Sequence, residues 1–264
     1  MRIVGFVQGR KKTLHGILTS DSTIVPIAGD IFGRWKRGRR RLKLENVRLL
    51  APCQPANIWA IGLNYKAHAL EGGHEIPSTP LVFVKATTAL TGPDHPIIIP
   101  SAAPNEVDYE GELVMVIGRR CRNVTEAHAL EYVLGYTCGN DVSARDAQRQ
   151  SLVRGKSFDT FAPLGPWIET ELDPASCQIR TRLNGETMQN SNTNDLIFNV
   201  QQLIRYLSSS ITLMPGSVIM TGTPSGVGSR RKPPVFLKAD DVIEVEIAGI
   251  GTLRNSLLNE TQTA

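Results

Sequence analysis

Hydrophobic and polar positions alternate through the first fifty residues with the period of β-strands, and turn-forming residues separate the runs. Arg2–Val7 predicts one strand. Residues 15–18 and 22–27 predict a hairpin about Asp21, and residues 42–50 predict a further extended run. Pro52 and Pro55 then mark a boundary, so the pattern divides the chain into a small β domain, residues 1–52, and a larger domain, residues 53–264. In the larger part, residues 81–84 and 113–117 are unbroken apolar runs, as expected of strands covered on both faces. Residues 195–207 predict a helix: Leu196, Ile197, Val200, Leu203, Ile204 and Leu207 form one stripe, with Asn194 as its cap. Val218–Met220 and Val242–Ile247 predict later strands. Many short strands with few helices imply an α+β chain that is mainly β.

Composition narrows the class without naming a reaction. The 264 residues carry a formal charge of +4, which suits small anionic substrates and does not require nucleic acid. Cys53, Cys121, Cys138 and Cys177 are scattered, with neither a C-x-x-C pair nor a zinc-type cluster, so reduced thiols are expected. No stretch approaches the roughly 20 apolar residues of a membrane helix, and the N-terminus lacks the continuous apolar core of a signal peptide. The default expectation is a cytoplasmic protein with no membrane partner.

Candidate chemistry concentrates between Val107 and Val116. On a single strand, Asp108, Glu110 and Glu112 would share one face, spaced by about 7 Å. Like charges this close beside an apolar run either raise a carboxyl pKa or bind a cation, and a hard divalent ion takes carboxylate oxygens readily. The alternative is an exposed strand edge bearing solvated acids. Asp141 sits where a strand gives way to a helix, placed either to reach a neighbouring site or to cap a helix from Ala144. His68 and Glu71 are three apart and would share a helix face, where the carboxylate orients the imidazole; a surface pair is the alternative. Lys156 stands among Phe158, Phe161 and Pro163, where a lysine stabilises an anion, or else lies in a solvated loop. The glycine-rich residues 221–228 offer backbone N–H groups to an anionic oxygen but lack the arrangement of a nucleotide loop. The basic run Arg34, Lys36, Arg37, Arg39, Arg40 and Arg41 is the rival signal: it raises a nucleic-acid-binding or scaffolding protein as the alternative, although no nucleic-acid-binding motif accompanies it.

Taken in order, these segments resemble the fumarylacetoacetate hydrolase family. The resemblance is carried by Gly62-Leu63-Asn64-Tyr65, Phe83-Val84-Lys85, Asp108-Tyr109-Glu110-Gly111-Glu112, Asn140-Asp141-Val142-Ser143-Ala144-Arg145-Asp146, Gly155-Lys156-Ser157-Phe158-Asp159 and Thr221-Gly222-Thr223-Pro224, across residues 57–258. It implies a mixed β-sandwich roll, preceded here by the small β domain and commonly dimeric. It also implies a divalent ion, Mg²⁺ or Mn²⁺ with Ca²⁺ as a further option, on Glu110, Glu112 and Asp141. By the same resemblance His68, Glu71 and Lys156 are expected to be catalytic, and Gln148, Gly222 and Thr223 to contact substrate. The implied activity is cleavage, decarboxylation or isomerisation of small 2-oxo acids through an enolate.

Overall fold

The computed structural model describes residues 1–9 and 12–260. A thirteen-stranded sheet runs through the molecule. Its main path passes from Trp35–Arg37 through Thr23–Gly29, Leu14–Leu18 and Arg2–Val7. It continues through Ala162–Glu169, Val133–Asn140, Gly111–Ile117, Val218–Met220 and Ile58–Gly62 to Leu81–Lys85. A second sheet of five strands, ordered Ile97–Ile99, Gly251–Asn259, Val242–Ile247, Gln178–Leu183 and Glu186–Asn192, stands beside it. Four α-helices lie among the described residues: α1 (Lys66–Glu71), α2 (Arg145–Gln148), α3 (Leu152–Lys156) and α4 (Val200–Ser210). The architecture is the mainly-β arrangement expected from the sequence, and no helix among the described residues is long and apolar enough to cross a membrane.

The Gly111–Ile117 strand shows why an unbroken apolar run belongs here. Leu113, Met115 and Ile117 pack into a cluster with Ile179, Val245 and Leu253 of the second sheet and with Leu203, Ile204 and Leu207 of α4. Val114 and Val116 point the other way, into a cluster with Ile58, Phe161 and Leu164. Side-chain alternation therefore delivers one strand to two cores, and every residue of it is buried. The four cysteines are buried and unpaired.

The N-terminal strand joins the two predicted regions. Arg2 and Ile3 pair antiparallel with Glu169 and Ile168, and Gly5, Phe6 and Val7 pair with Leu50, Leu49 and Arg48. The basic run lies at the far end of the strand order from Leu81–Lys85. Trp35 is half-buried there, and the arginines are exposed.

Four local expectations are corrected. The helix predicted over residues 195–207 starts later, at Val200, because Asn199 and Gln202 form a reciprocal capping box. Before it, Thr193–Asp195 is a single 3-10 turn capped by Asn192, not the start of a helix capped by Asn194. Leu196 instead bridges to Tyr65 and is buried there, and the Ile197 N–H donates to the Asn64 carbonyl, so both positions of the apparent stripe are held outside the helix. The extended run over 42–50 is interrupted by a 3-10 turn at Leu44–Asn46. Asp108 does not share a strand with Glu112: Val107–Asp108 pairs with Ser143–Ala144, and the chain breaks register at Tyr109 and Glu110 before Gly111–Ile117 pairs with Val133–Asn140. Asp141 caps no helix, since α2 starts after Ala144 without a side-chain cap.

Candidate active site and metal centre

The site is assembled where neighbouring strands end. Glu112 opens the Gly111–Ile117 strand, and Asp141 directly follows Val133–Asn140, its antiparallel partner. The Asp141 N–H donates to the Glu110 carbonyl at 2.8 Å, and the Asn140 side chain accepts the Glu110 N–H at 2.9 Å. Backbone pairing thus fixes the three acids before any side-chain contact is considered. One oxygen from each of Glu110, Glu112 and Asp141 can be chosen so that all three lie within 4.8 Å of one another, and all three residues are buried.

Burying carboxylates together is costly unless cations answer them. Here they do. The Lys156 ammonium, at the end of α3, donates to Glu110 Oε2 at 2.8 Å and to Asp141 Oδ2 at 2.6 Å. Lys85, at the end of the Leu81–Lys85 strand, donates to Asp141 Oδ1 and to the Val142 carbonyl, the latter at 3.1 Å. Arg145 reaches Glu110 Oε1 at 2.6 Å and holds Asp108 Oδ2 through Nε and Nη2 at 2.9 and 2.8 Å. Asp108 is fully buried and also accepts the backbone N–H groups of Tyr109, Gly228 and Ser229. It is the anchor of Arg145 and lies outside the three-acid cluster.

These surroundings separate the ionisations. Burial opposes ionisation of Glu110, but the Lys156 and Arg145 charges outweigh it and hold this carboxyl below its usual range. Burial and the charges of Asp141 and Glu110 push the Glu112 carboxyl well above its usual range, although the Gly222 N–H donates to it at 2.7 Å. The two lysines diverge as well. Burial lowers the pKa of Lys85, with Asp141 its main support, whereas two carboxylates overcome burial at Lys156 and raise it. Asp108, Glu110 and Asp141 each meet a lysine or arginine, Lys85, Arg145 or Lys156, whereas Glu112 has no ion pair among the described residues. The all-oxygen donor set suits a hard divalent cation, so the residues present fit such an ion, at the cost of the Glu112 proton.

A cleft of about 1060 Å³ opens over this centre. Glu110 and Lys156 reach its wall, as do His68, Arg145, Gln148 and Thr223. His68 and Glu71 pair as α1 requires, with Nδ1 3.2 Å from Glu71 Oε2, and Glu71 Oε1 accepts the Gly226 N–H at 2.9 Å. The Gln148 amide oxygen accepts from Arg145 at 3.0 Å. Gly222 and Thr223 are engaged internally: the Gly222 N–H holds Glu112, and the Thr223 hydroxyl donates to the Gly111 carbonyl at 3.0 Å and accepts from Gln189 at 2.8 Å. The structure therefore places Glu110, Lys156, His68, Gln148 and Thr223 in the wall of one cleft, with Glu112 and Asp141 clustered beside Glu110. Sequence reasoning assigned no role to Lys85 or Arg145. A lysine closing an apolar run was the signal at Lys85, although Leu81 and Val84 are exposed and this strand is not covered on both faces as its apolar run predicts; Arg145 had none apart from its place after Asp141.

Comparison with known proteins identifies the family. The family model described as fumarylacetoacetate (FAA) hydrolase C-terminal matches residues 57–258, and one described as Rv2993c-like, N-terminal matches residues 1–52. Oxaloacetate tautomerase fahd2, mitochondrial, of Xenopus laevis is 46% identical over 225 residues, 82% of this chain and 70% of that protein. Protein Rv2993c of Mycobacterium tuberculosis is 41% identical over 246 residues, 91% of this chain and 90% of that one. The crystal structure of 5-carboxymethyl-2-hydroxymuconate delta-isomerase from Mycobacterium smegmatis superposes with a TM-score of 0.89 at 40% identity, covering 98% of this chain and all of that one. The chain is a member of the fumarylacetoacetate hydrolase family of enzymes.

Proposed function

We propose that this protein is a divalent-metal-dependent enzyme that interconverts enol and keto forms, or double-bond isomers, of small 2-oxo dicarboxylic acids. The observation that carries the reading is the buried Glu110, Glu112 and Asp141 cluster, matched by Lys85, Arg145 and Lys156, at the foot of a cleft. The tautomerase and isomerase names of the relatives support the reaction class.

Glu110, Glu112 and Asp141 would hold Mg²⁺ or Mn²⁺, which when bound would supply Lewis acidity to the 2-oxo-acid end of the substrate. The chain's own residues do the rest. Arg145 and Lys156 present fixed positive charge to the 2-oxo-acid end of the substrate, and Gln148 offers its amide there. Lys156, held charged by two carboxylates, is a poor base, so the proton at the carbon next to the 2-oxo group passes through His68. Glu71 keeps that imidazole oriented, and Gly226 keeps Glu71 in place. Thr223 and Gly222 hold the floor of the site through Gly111 and Glu112.

The His68–Glu71 pair favours a second reading. The same groups are suited to activating a water molecule, which would make the reaction hydrolytic cleavage of a short acylpyruvate. Decay of the enol absorbance of oxaloacetate, followed with Mg²⁺ or Mn²⁺ and then with EDTA, tests the proposal. Metal-dependent decay without pyruvate supports it. Pyruvate release would move the assignment to decarboxylation, cleavage of the acylpyruvate would move it to hydrolysis, and no acceleration of any of these would refute enolate chemistry.

A further inference from the structure

Among the described residues, four lysine or arginine side chains line the cleft: Arg145, Arg149, Lys156 and Arg230. Three are already answered by carboxylates. Arg145 is held by Asp108 and Glu110, Lys156 by Glu110 and Asp141, and Arg149 by Glu106 at 2.7 and 3.3 Å. Arg230 differs: its guanidinium has neither an ion pair nor a side-chain hydrogen bond among the described residues. Its backbone, by contrast, is well held. It closes the 3-10 turn Gly228–Arg230, whose Gly228 and Ser229 N–H groups donate to Asp108 at 2.7 and 3.0 Å. The close approach at Gly228 leaves no space for a side chain, since an added Cβ would lie 1.9 Å from the Val235 carbonyl oxygen.

Asp108 therefore ties together two parts of the cleft. One oxygen of this buried carboxylate accepts from both the Arg145 guanidinium and Ser229, and the other accepts from Gly228. Through Arg145 it supports the Glu110 end of the cleft, and through the turn it sets the base of Arg230. A fixed base with an unanswered guanidinium is suited to a planar anion, because the guanidinium fork matches a carboxylate. Leu81, Phe83, Leu152 and Phe236 supply apolar wall in the same cleft, fitting a short carbon chain between two charged ends.

From this we infer that Arg230 is the specificity-determining residue that reads the distal carboxylate, the one farther from the 2-oxo group, and so separates dicarboxylate from monocarboxylate substrates. The inference rests on the enolate reading of the same site.

The test compares oxaloacetate with its 4-methyl ester, which keeps the 2-oxo-acid end and loses only the distal charge, in the full-length Mg²⁺-loaded enzyme. Wild type is expected to favour the diacid in kcat/KM by about ten- to a hundredfold, the range of one charge-assisted hydrogen-bonded pair. Arg230→Met should remove that preference while leaving turnover of the ester unchanged, and Arg230→Lys should restore part of it. An unchanged preference in Arg230→Met, or equal loss on both compounds, would overturn the assignment. Calorimetric binding of the same two compounds keeps the inferences apart. If wild type binds the diacid more tightly than the ester, Arg230→Met erases that difference and neither compound is turned over, the reaction assignment falls and the Arg230 assignment stands. Equal affinity of wild type for the two, or binding of neither, removes the Arg230 assignment.

Discussion

Glu71, the last residue of α1, accepts a hydrogen bond at 2.9 Å from the backbone N–H of Gly226, 155 positions further along the chain. Its other oxygen lies 3.2 Å from His68 Nδ1. One carboxylate thus fastens a short helix to the glycine-rich loop and orients the imidazole in the cleft wall. Glu71→Ala is expected to lower kcat by about a hundredfold, the size of a lost general acid–base contribution, with a smaller change in KM. Steady-state kinetics checks this; a rise in KM alone would reduce Glu71 to a fastening role.

The three-acid cluster makes a sharper prediction. Glu110→Ala is expected to abolish divalent-dependent turnover and to weaken metal binding, because it removes one of three closely set donors and leaves Arg145 and Lys156 with one carboxylate fewer. Calorimetric titration with Mn²⁺ alongside the activity assay measures both. Wild-type rate with unchanged metal affinity would remove Glu110 from the ligand set.

Glu112 gives the pH dependence. In the metal-free protein its carboxyl is held well above the usual range by burial and by the Asp141 and Glu110 charges. A carboxyl raised in the folded state binds its proton more tightly there than in the unfolded chain. Its contribution to stability therefore falls as pH rises through the ordinary glutamate range and towards the raised value. Glu112→Gln is expected to raise the melting temperature of the EDTA-treated protein at neutral pH and to lose most of the increment that Mn²⁺ gives wild type. Divalent affinity of wild type should increase with pH as the Glu112 proton is released. Thermal melts with EDTA and with Mn²⁺, from pH 6 to pH 8, test both statements.

Asn64 makes a stability prediction away from the chemistry. Its buried side chain donates to the carbonyls of Thr221 and Phe198 at 2.7 and 3.0 Å and accepts the Phe198 N–H at 2.9 Å. It stitches the end of the Ile58–Gly62 strand to the site loop and to the approach of α4. Asn64→Ala removes three hydrogen bonds and leaves buried backbone groups unanswered, a loss of about 2–4 kcal/mol in denaturant unfolding. A loss below about 1 kcal/mol would show that water replaces the amide.

The sequence made some of this legible and concealed the rest for identifiable reasons. The Gly111–Ile117 strand was readable because full burial on both faces leaves an unbroken apolar run. Glu110 and Glu112 were readable as acids beside such a run, and Asp141 only through its place in an order resembling a known family. Asp108 was misplaced because period-two spacing places it with Glu110 and Glu112, while the register break at Tyr109 and Glu110 redirects it to Arg145 and the turn at Gly228. The start of α4 was misplaced because Leu196 and Ile197 fall in phase with the helix stripe while the backbone there pairs with Tyr65 and Asn64 instead. Lys85 and Arg145 needed the fold: only strand pairing brings residues from distant parts of the chain onto one set of carboxylates.

The pairing of Arg2 and Ile3 with Glu169 and Ile168 has a consequence for any shortened form of the protein. Removing residues 1–52 would do more than subtract an appendage, because it would strip the neighbour from Ala162–Glu169 and uncover Trp167, over which Arg2 now lies at 5.0 Å. A long sheet would then end in unsatisfied backbone groups beside an exposed aromatic ring, the kind of margin that recruits further chains. The N-terminal strands therefore cover the margin that Ala162–Glu169 would otherwise present and move the end of the sheet to the short strand Trp35–Arg37.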